Sequence, residues 1–275
     1  MRGEMYRAEK LTKVFDGGEA AVDQVDLEIE RGEQVAFIGP SGAGKTTLFR
    51  MLNLTIPPTG GRLFFDGLEV RSLRGRKLRE ARRRIGTIYQ QHNLVSRLKV
   101  VHNVLAGRLG SWSTGNALFS LIRPAEVERA YEALQRVGIP EKLFARTDEL
   151  SGGQQQRVAI ARVLVQDPEV ILADEPVSSV DPTLASAIVK LLVEISAEDG
   201  KTLLMNLHSV DLALAFFPRV IGIQEGQVLF DLKSAEVTRG LLERLYSGSR
   251  PEFEGRLIDE SADTFPACRP LPRAH

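Results

Sequence analysis

A glycine-rich octapeptide, Gly39-Pro40-Ser41-Gly42-Ala43-Gly44-Lys45-Thr46, separates the apolar run Val35 to Ile38 from the stretch Thr47 to Leu52, which reads as helix. A strand feeding a tight turn into a helix N-terminus constrains the fold more than any other feature of the chain. Similar short apolar runs recur at Ile85 to Tyr89, Val170 to Ala173 and Thr202 to Leu207, with helical segments between them. That pattern belongs to parallel strands covered on both faces, so the fold class expected is α/β. Two pieces look antiparallel: Arg62 to Phe65 before Asp66-Gly67, and Val220 to Ile223 joined to Gln227 to Phe230 through Glu225-Gly226. They are expected to edge the parallel core, giving a mixed sheet.

Between Gln91 and Leu150 no strand pattern occurs, whereas Val127, Ala130, Ala133, Leu134 and Val137 fall at helical spacing within Pro124 to Val137. The stretch is read as an inserted helical subdomain. The organisation expected is a core in two parts, 1–90 and 161–247, interrupted by a helical subdomain at 91–160 and followed by a tail at 248–275. In the tail Pro251, Pro266, Pro270 and Pro272 lie among mixed charges, which reads as disordered or as docked irregular chain. A single phosphate-loop pattern and no internal period mean that the chain carries half of any two-site assembly.

The charge balance, 36 basic against 36 acidic residues, gives no global field to attract nucleic acid or anionic lipid. A local basic run does exist, with eight basic residues in the fourteen from Arg71 to Arg84. Leu73, Leu78 and Ile85 at helical spacing favour a solvated charged face over a nucleic-acid or membrane contact. No run approaches the roughly 18 to 20 apolar residues of a membrane span, and Met1-Arg2-Gly3-Glu4 opens no signal peptide. A cytoplasmic protein is therefore expected. The one cysteine, Cys268, builds neither a disulfide framework nor a metal cluster, and the one tryptophan, Trp112, serves either a partner contact or a local core.

Three motifs carry chemistry. Around the octapeptide, glycines let backbone N–H groups turn toward phosphates, and the helix starting near Gly44 aims its positive end at them. Lys45 is expected to bridge the β- and γ-phosphates, and Thr46 to offer its hydroxyl to Mg2+. Asp174 and Glu175 end the apolar strand Val170 to Ala173, where two adjacent carboxylates call for a cation or a reaction; a helix cap or a salt bridge is the plainer alternative. Asp174 is expected in the Mg2+ shell and Glu175 beside the attacking water. Ser151-Gly152-Gly153 opens a second helix, whose apolar positions are Val158, Ala159, Ile160, Val163 and Leu164. It offers a further anion-binding N-terminus, a plain serine cap, or both.

In series, the phosphate loop, Leu150-Ser151-Gly152-Gly153-Gln154-Gln155-Gln156-Arg157 and Asp174-Glu175 resemble the ABC-type ATPases over Tyr6 to about Leu245. The resemblance implies a P-loop nucleotidase fold of ABC type, with ATP and Mg2+ as cofactors and Gly39 to Thr47 around the phosphates. It also implies roles for single residues. Gln90, after the strand Ile85 to Tyr89, would reach Mg2+ and water; His208 would contact the γ-phosphate; Phe15 would stack on adenine. Without the family these are a strand-end Gln, an exposed His and a core Phe. Ser178-Ser179-Val180-Asp181 resembles the loop that crosses the dimer interface and brings Asp181 to the nucleotide, although Asp181-Pro182 also suits a simple turn.

By the same resemblance two copies close head to tail, and Ser151, Gly152, Gly153 and Gln154 of one complete the site held by Lys45, Thr46, Asp174 and Glu175 of the other. Such a homodimer works on two transmembrane permease subunits at the cytoplasmic face of the membrane, indirectly served by a periplasmic or extracellular solute-binding protein, with no nucleic acid involved. Within the family, Asn103 to Gly110, Gln90 to Val95, Ala173 to Pro176 and Asn206 to Ala213 look closest to the ATP-binding subunits of phosphonate importers. His92 departs from that pattern, where Phe is usual, as does Val180, where Leu is. The other readings are an importer ATPase for another solute, such as amino acids, and a soluble ABC ATPase without a transport role. Against the second, 91–150 is too short for a long coiled-coil insertion.

Overall fold

The computed structural model describes residues 3–112, 115, 124, 126–177 and 180–247. The tail, with Cys268, and the pair Ser178-Ser179 lie outside the described residues. The chain forms two compact units, Met1–Ser72 with Val193–His275, and Leu73–Leu192.

In the first unit β3 (Gln34–Ile38) lies between β8 (Thr202–Asn206) and β9 (Arg219–Gln224), parallel to both. β10 (Gln227–Lys233) returns antiparallel to β9 through the hairpin at Glu225-Gly226. Val35 to Ile38 and all of β8 are buried, as continuous apolar runs must be when both faces are covered. Helix α1 (Lys45–Leu52) packs on this sheet through Phe49, whose ring meets Phe37 edge-on at 5.2 Å.

A second sheet in this unit is wholly antiparallel, with β1 (Glu4–Val14) between β2 (Ala20–Glu30) and β4 (Gly60–Phe65), and β5 (Leu68–Glu69) beyond β4. Here the expectation from sequence needs correction: Arg62 to Phe65 does not edge the parallel core but pairs with β1. Along β2, buried Val25, Leu27 and Ile29 alternate with exposed Gln24, Asp26, Glu28 and Glu30, one face in and one out. Tyr6 of β1 donates its hydroxyl to the Leu52 carbonyl at 2.9 Å, fixing the far end of α1. Helices α7 (Val210–Phe216) and α8 (Arg239–Leu245) complete the unit.

The second unit holds one strand pair, β6 (Ile85–Tyr89) parallel to β7 (Val170–Asp174), in register from Ile85 against Val170 to Tyr89 against Asp174. At the start of the pair Arg84 grips Glu169 with two bonds of 2.5 and 2.8 Å. Before it runs α2 (Gly75–Arg83), which carries the basic run on its exposed face and buries Ala81. Between β6 and β7 come α3 (Val100–Leu105), α4 (Val127–Arg136) and α5 (Gly152–Gln166); no strand occurs there among the described residues. α5 packs on α3 and α4, and its Val158, Ala159, Ile160 and Val163 are buried. Asn103, buried in α3, satisfies its carboxamide with both backbone groups of Val95 and the Thr147 hydroxyl, at 2.8 to 3.0 Å. Trp112 donates its ring N–H to Glu126 at 3.2 Å. Helix α6 (Pro182–Glu198) follows β7. No helix among the described residues is long and apolar enough to cross a membrane.

Candidate functional site

In the first unit the glycine-rich loop leaves the buried end of β3 and is wedged in place from two sides. The hairpin tip donates the Gly226 N–H to the Ala43 carbonyl at 3.0 Å, and β2 donates the Asp23 N–H to the Gly226 carbonyl at 2.8 Å. Gln227 closes the bracket by donating its carboxamide to Asp23 at 2.7 Å. Gly44 turns the chain into α1 with φ +96°, and a Cβ there would stand 2.0 Å from the Ala21 carbonyl oxygen. Only glycine fits. No side chain caps α1, whose first hydrogen bond runs from the Leu48 N–H to the Gly44 carbonyl at 2.9 Å. An anion is thus the natural partner of its first turn.

Lys45 is 4% exposed, and its ammonium curls back to donate to the Gly39 and Pro40 carbonyls at 2.7 and 2.9 Å. A buried cation at the start of an uncapped helix, beside a glycine-rich loop, suits a chain of phosphates. Ser41 and Gly42 are exposed, Thr46 and Thr47 half-buried. The Leu207 N–H donates to the Phe37 carbonyl at 2.9 Å, so Gly39 and His208 leave the C-terminal ends of neighbouring parallel strands. That edge is where open α/β sheets bind ligands. Phe15 is 48% exposed beyond β1, not a core residue, and Lys13 sits 5.2 Å from its ring centre while donating to the Pro57 carbonyl at 3.0 Å.

In the second unit the β6–β7 register places Gln90 and Glu175 one step beyond the paired Tyr89 and Asp174. The two residues leave adjacent parallel strands at one level. Asp174 and Glu175 are half-buried and Gln90 exposed. Glu175 has φ +51°, a left-handed conformation that costs a non-glycine residue on the order of 1 kcal/mol or more and concentrates at functional sites. All the donors expected for a metal, Thr46, Gln90 and Asp174, are oxygen donors, and no cluster of three His, Cys, Asp or Glu occurs among the described residues. This donor chemistry suits Mg2+, which takes one or two carboxylates together with substrate phosphates.

Ser151 caps α5 in a full capping box: its hydroxyl accepts from the Gln154 N–H at 3.3 Å, and the Gln154 side chain accepts from the Ser151 N–H at 3.1 Å. Asp181 likewise caps α6, accepting from the Leu184 N–H at 2.9 Å. Leu184 links the two caps, since a Cβ on Gly153 would lie 2.5 Å from its methyl. Gly152 is exposed beside it.

Sequence reasoning passed over the residues that hold Gln90's own segment. Arg162 of α5 donates to the His92 carbonyl at 2.9 Å and the Asn93 carbonyl at 2.7 Å. The wholly buried Gln156 carboxamide, which makes no hydrogen bond of ordinary geometry among the described residues, lies against the His92 imidazole. Burial pushes the His92 pKa below its ordinary 6.5; the Gln156 contact opposes this and the Arg162 charge adds to it. The unfolded chain therefore takes up this proton first as pH falls, and stability present above about pH 6.5 is lost toward the lower folded value. His92→Phe is expected to narrow the gap in Tm between about pH 7.5 and pH 5.5. Equal gaps in both proteins would remove His92 from this account.

These halves define a class. Residues 22–178 match the family described as ABC transporter, and the chain belongs to that family as an ATP-hydrolysing cassette. It is 43% identical over 244 residues to the phosphonates import ATP-binding protein PhnC of Lactobacillus johnsonii, covering 89% of this chain and 96% of that one. The protein of the same name from Pseudomonas fluorescens is 45% identical over 251 residues, with 91% and 95% covered. Among solved structures the chain is similar to cbiO1 from Clostridium perfringens, part of the ABC transporter complex cbiONQ (32% identity, TM-score 0.73, 84% and 89% covered). It is also similar to a dimeric, post-hydrolysis structure of the ATP-binding cassette MJ0796 bound to ADP and Pi (32% identity, TM-score 0.71, 85% and 100% covered).

Proposed function

We propose that the chain is the ATP-hydrolysing subunit of an importer for phosphonates or a related phosphorus oxyanion. The reading is carried by likeness at 43 to 45% identity, over about nine-tenths of the chain, to proteins named for phosphonate import. Two copies close head to tail around MgATP at the cytoplasmic face of the membrane, bound to two permease subunits that a solute-binding protein supplies.

Lys45 neutralises charge on the β- and γ-phosphates from within the loop Gly39 to Thr47, and Phe15 stacks on the adenine. The Thr46 hydroxyl, the Asp174 carboxylate and the Gln90 carboxamide would hold Mg2+, which would supply charge neutralisation at the transferred group. Glu175 orients a water and takes its proton as the water oxygen bonds to the γ-phosphorus and the bond to ADP breaks. His208 donates to the γ-phosphate. Ser151, Gly152, Gly153 and Gln154 of the other copy complete that phosphate's shell at the start of α5, and Asp181 ties the two sites together. Nothing among the described residues selects a solute. Specificity then lies in the permease and binding protein.

Deleting the gene is expected to abolish uptake of radiolabelled methylphosphonate, with rescue by the intact chain but not by Glu175→Gln. Unchanged methylphosphonate uptake, with loss of amino-acid uptake instead, would transfer the chain to another importer.

A further inference from the structure

Arg162 lies eleven residues into α5 after its Ser151 cap, about 16 Å along the axis at the ordinary helical rise. Its guanidinium is largely withdrawn from water, and that desolvation lowers its pKa. No carboxylate pairs with it among the described residues. A desolvated cation with no carboxylate partner is costly, so what it holds matters. It holds two consecutive backbone carbonyls, those of His92 and Asn93, through two N–H groups of one planar fork. A lysine cannot reproduce that bidentate grip. Asn93 takes a left-handed turn, φ +50°, at the point of attachment. Gln90 is two residues before His92, just beyond the last residue of β6.

We propose that Arg162 is a positioning residue for hydrolysis, its guanidinium tying the segment that carries Gln90 to the helix that Ser151 opens, so that the two are placed together. The inference rests on the role given to Gln90 above. Gln90, which serves the chain's own nucleotide, and Ser151, which serves the nucleotide of the other copy, are then, through α5, parts of a single rigid element. A helix transmits placement along its axis where a loop would not.

The test uses the full-length ATPase with Arg162→Lys, Arg162→Ala, Gln90→Ala and the double variant Gln90→Ala/Arg162→Lys. Peptide-resolved amide hydrogen exchange is expected to rise about tenfold across 90–95 in both Arg162 variants, with 45–52 and 170–174 unchanged. Arg162→Lys is expected to lower kcat about tenfold while KM for MgATP stays within about twofold, since a small misplacement costs rate more than binding. The double variant should be no slower than Gln90→Ala alone, because Arg162 acts through Gln90. Unchanged exchange across 90–95, or additive losses in the double variant, would overturn the proposal. If exchange rises as expected but Gln90→Ala turns over at the wild-type rate, the role of Gln90 falls and the positioning role with it. Arg162→Lys keeps the test open should Arg162→Ala fail to fold.

Discussion

Glu175→Gln is expected to bind MgATP with wild-type affinity and to release phosphate at least about 100-fold more slowly, the usual cost of losing a general base. The substitution keeps the shape of the side chain and removes only its ability to take a proton. Glu175 follows a buried apolar strand in a strained, left-handed backbone conformation, one residue beyond Asp174 and level with Gln90. A residue kept in that conformation solely to cap a helix or to join an ion pair would lose little on becoming glutamine. Single-turnover phosphate release alongside equilibrium nucleotide binding separates the cases, and equal release from both proteins would take the water away from Glu175.

Gly44→Ala is expected to destabilise the protein by more than about 3 kcal/mol and to abolish nucleotide binding. The added methyl would meet the Ala21 carbonyl oxygen at 2.0 Å, and backbone braced by the Gly226 turn has nowhere to go. Gly42 provides the control, because its φ is +82° yet nothing lies within 4 Å of a Cβ there. Gly42→Ala should lose only the backbone term, about 1 kcal/mol. Thermal unfolding of the two variants measures the difference. Equal losses would mean that strain alone, not the close approach of β2, governs the loop.

The phosphate loop and the β6–β7 pair were legible because both rest on continuous apolar runs, and a strand buried on two faces can be read without knowing its neighbours. β1 and β2 escaped notice for the opposite reason. Their one-faced alternation is broken by bulges where Lys10 and Gln24 adopt positive φ, and the pairing register shifts between Ala8 and Leu11. With β1 hidden, Arg62 to Phe65 lacked its true partner and was assigned to the wrong sheet. The grip of Arg162 on carbonyls 69 and 70 residues away left no local signal, since any carbonyl can accept and none is marked by its side chain. His92 did leave one, as a polar residue where its family has an aromatic. Ser151 and Asp181 each fill a helix cap in the structure, which leaves room for the nucleotide role proposed for each, since one helix start can serve both.

Central to the account is one terminal phosphoryl group held by two copies of the chain. The most direct measurement is a structure of Glu175→Gln with MgATP. The result expected is a two-fold dimer in which the Ser151 hydroxyl and the Gly153 N–H of one protomer stand about 3 Å from the γ-phosphate that the other protomer's Lys45 holds. A nucleotide-bound protein whose Ser151 turn faces solvent, with the γ-phosphate touched by a single chain, would contradict it.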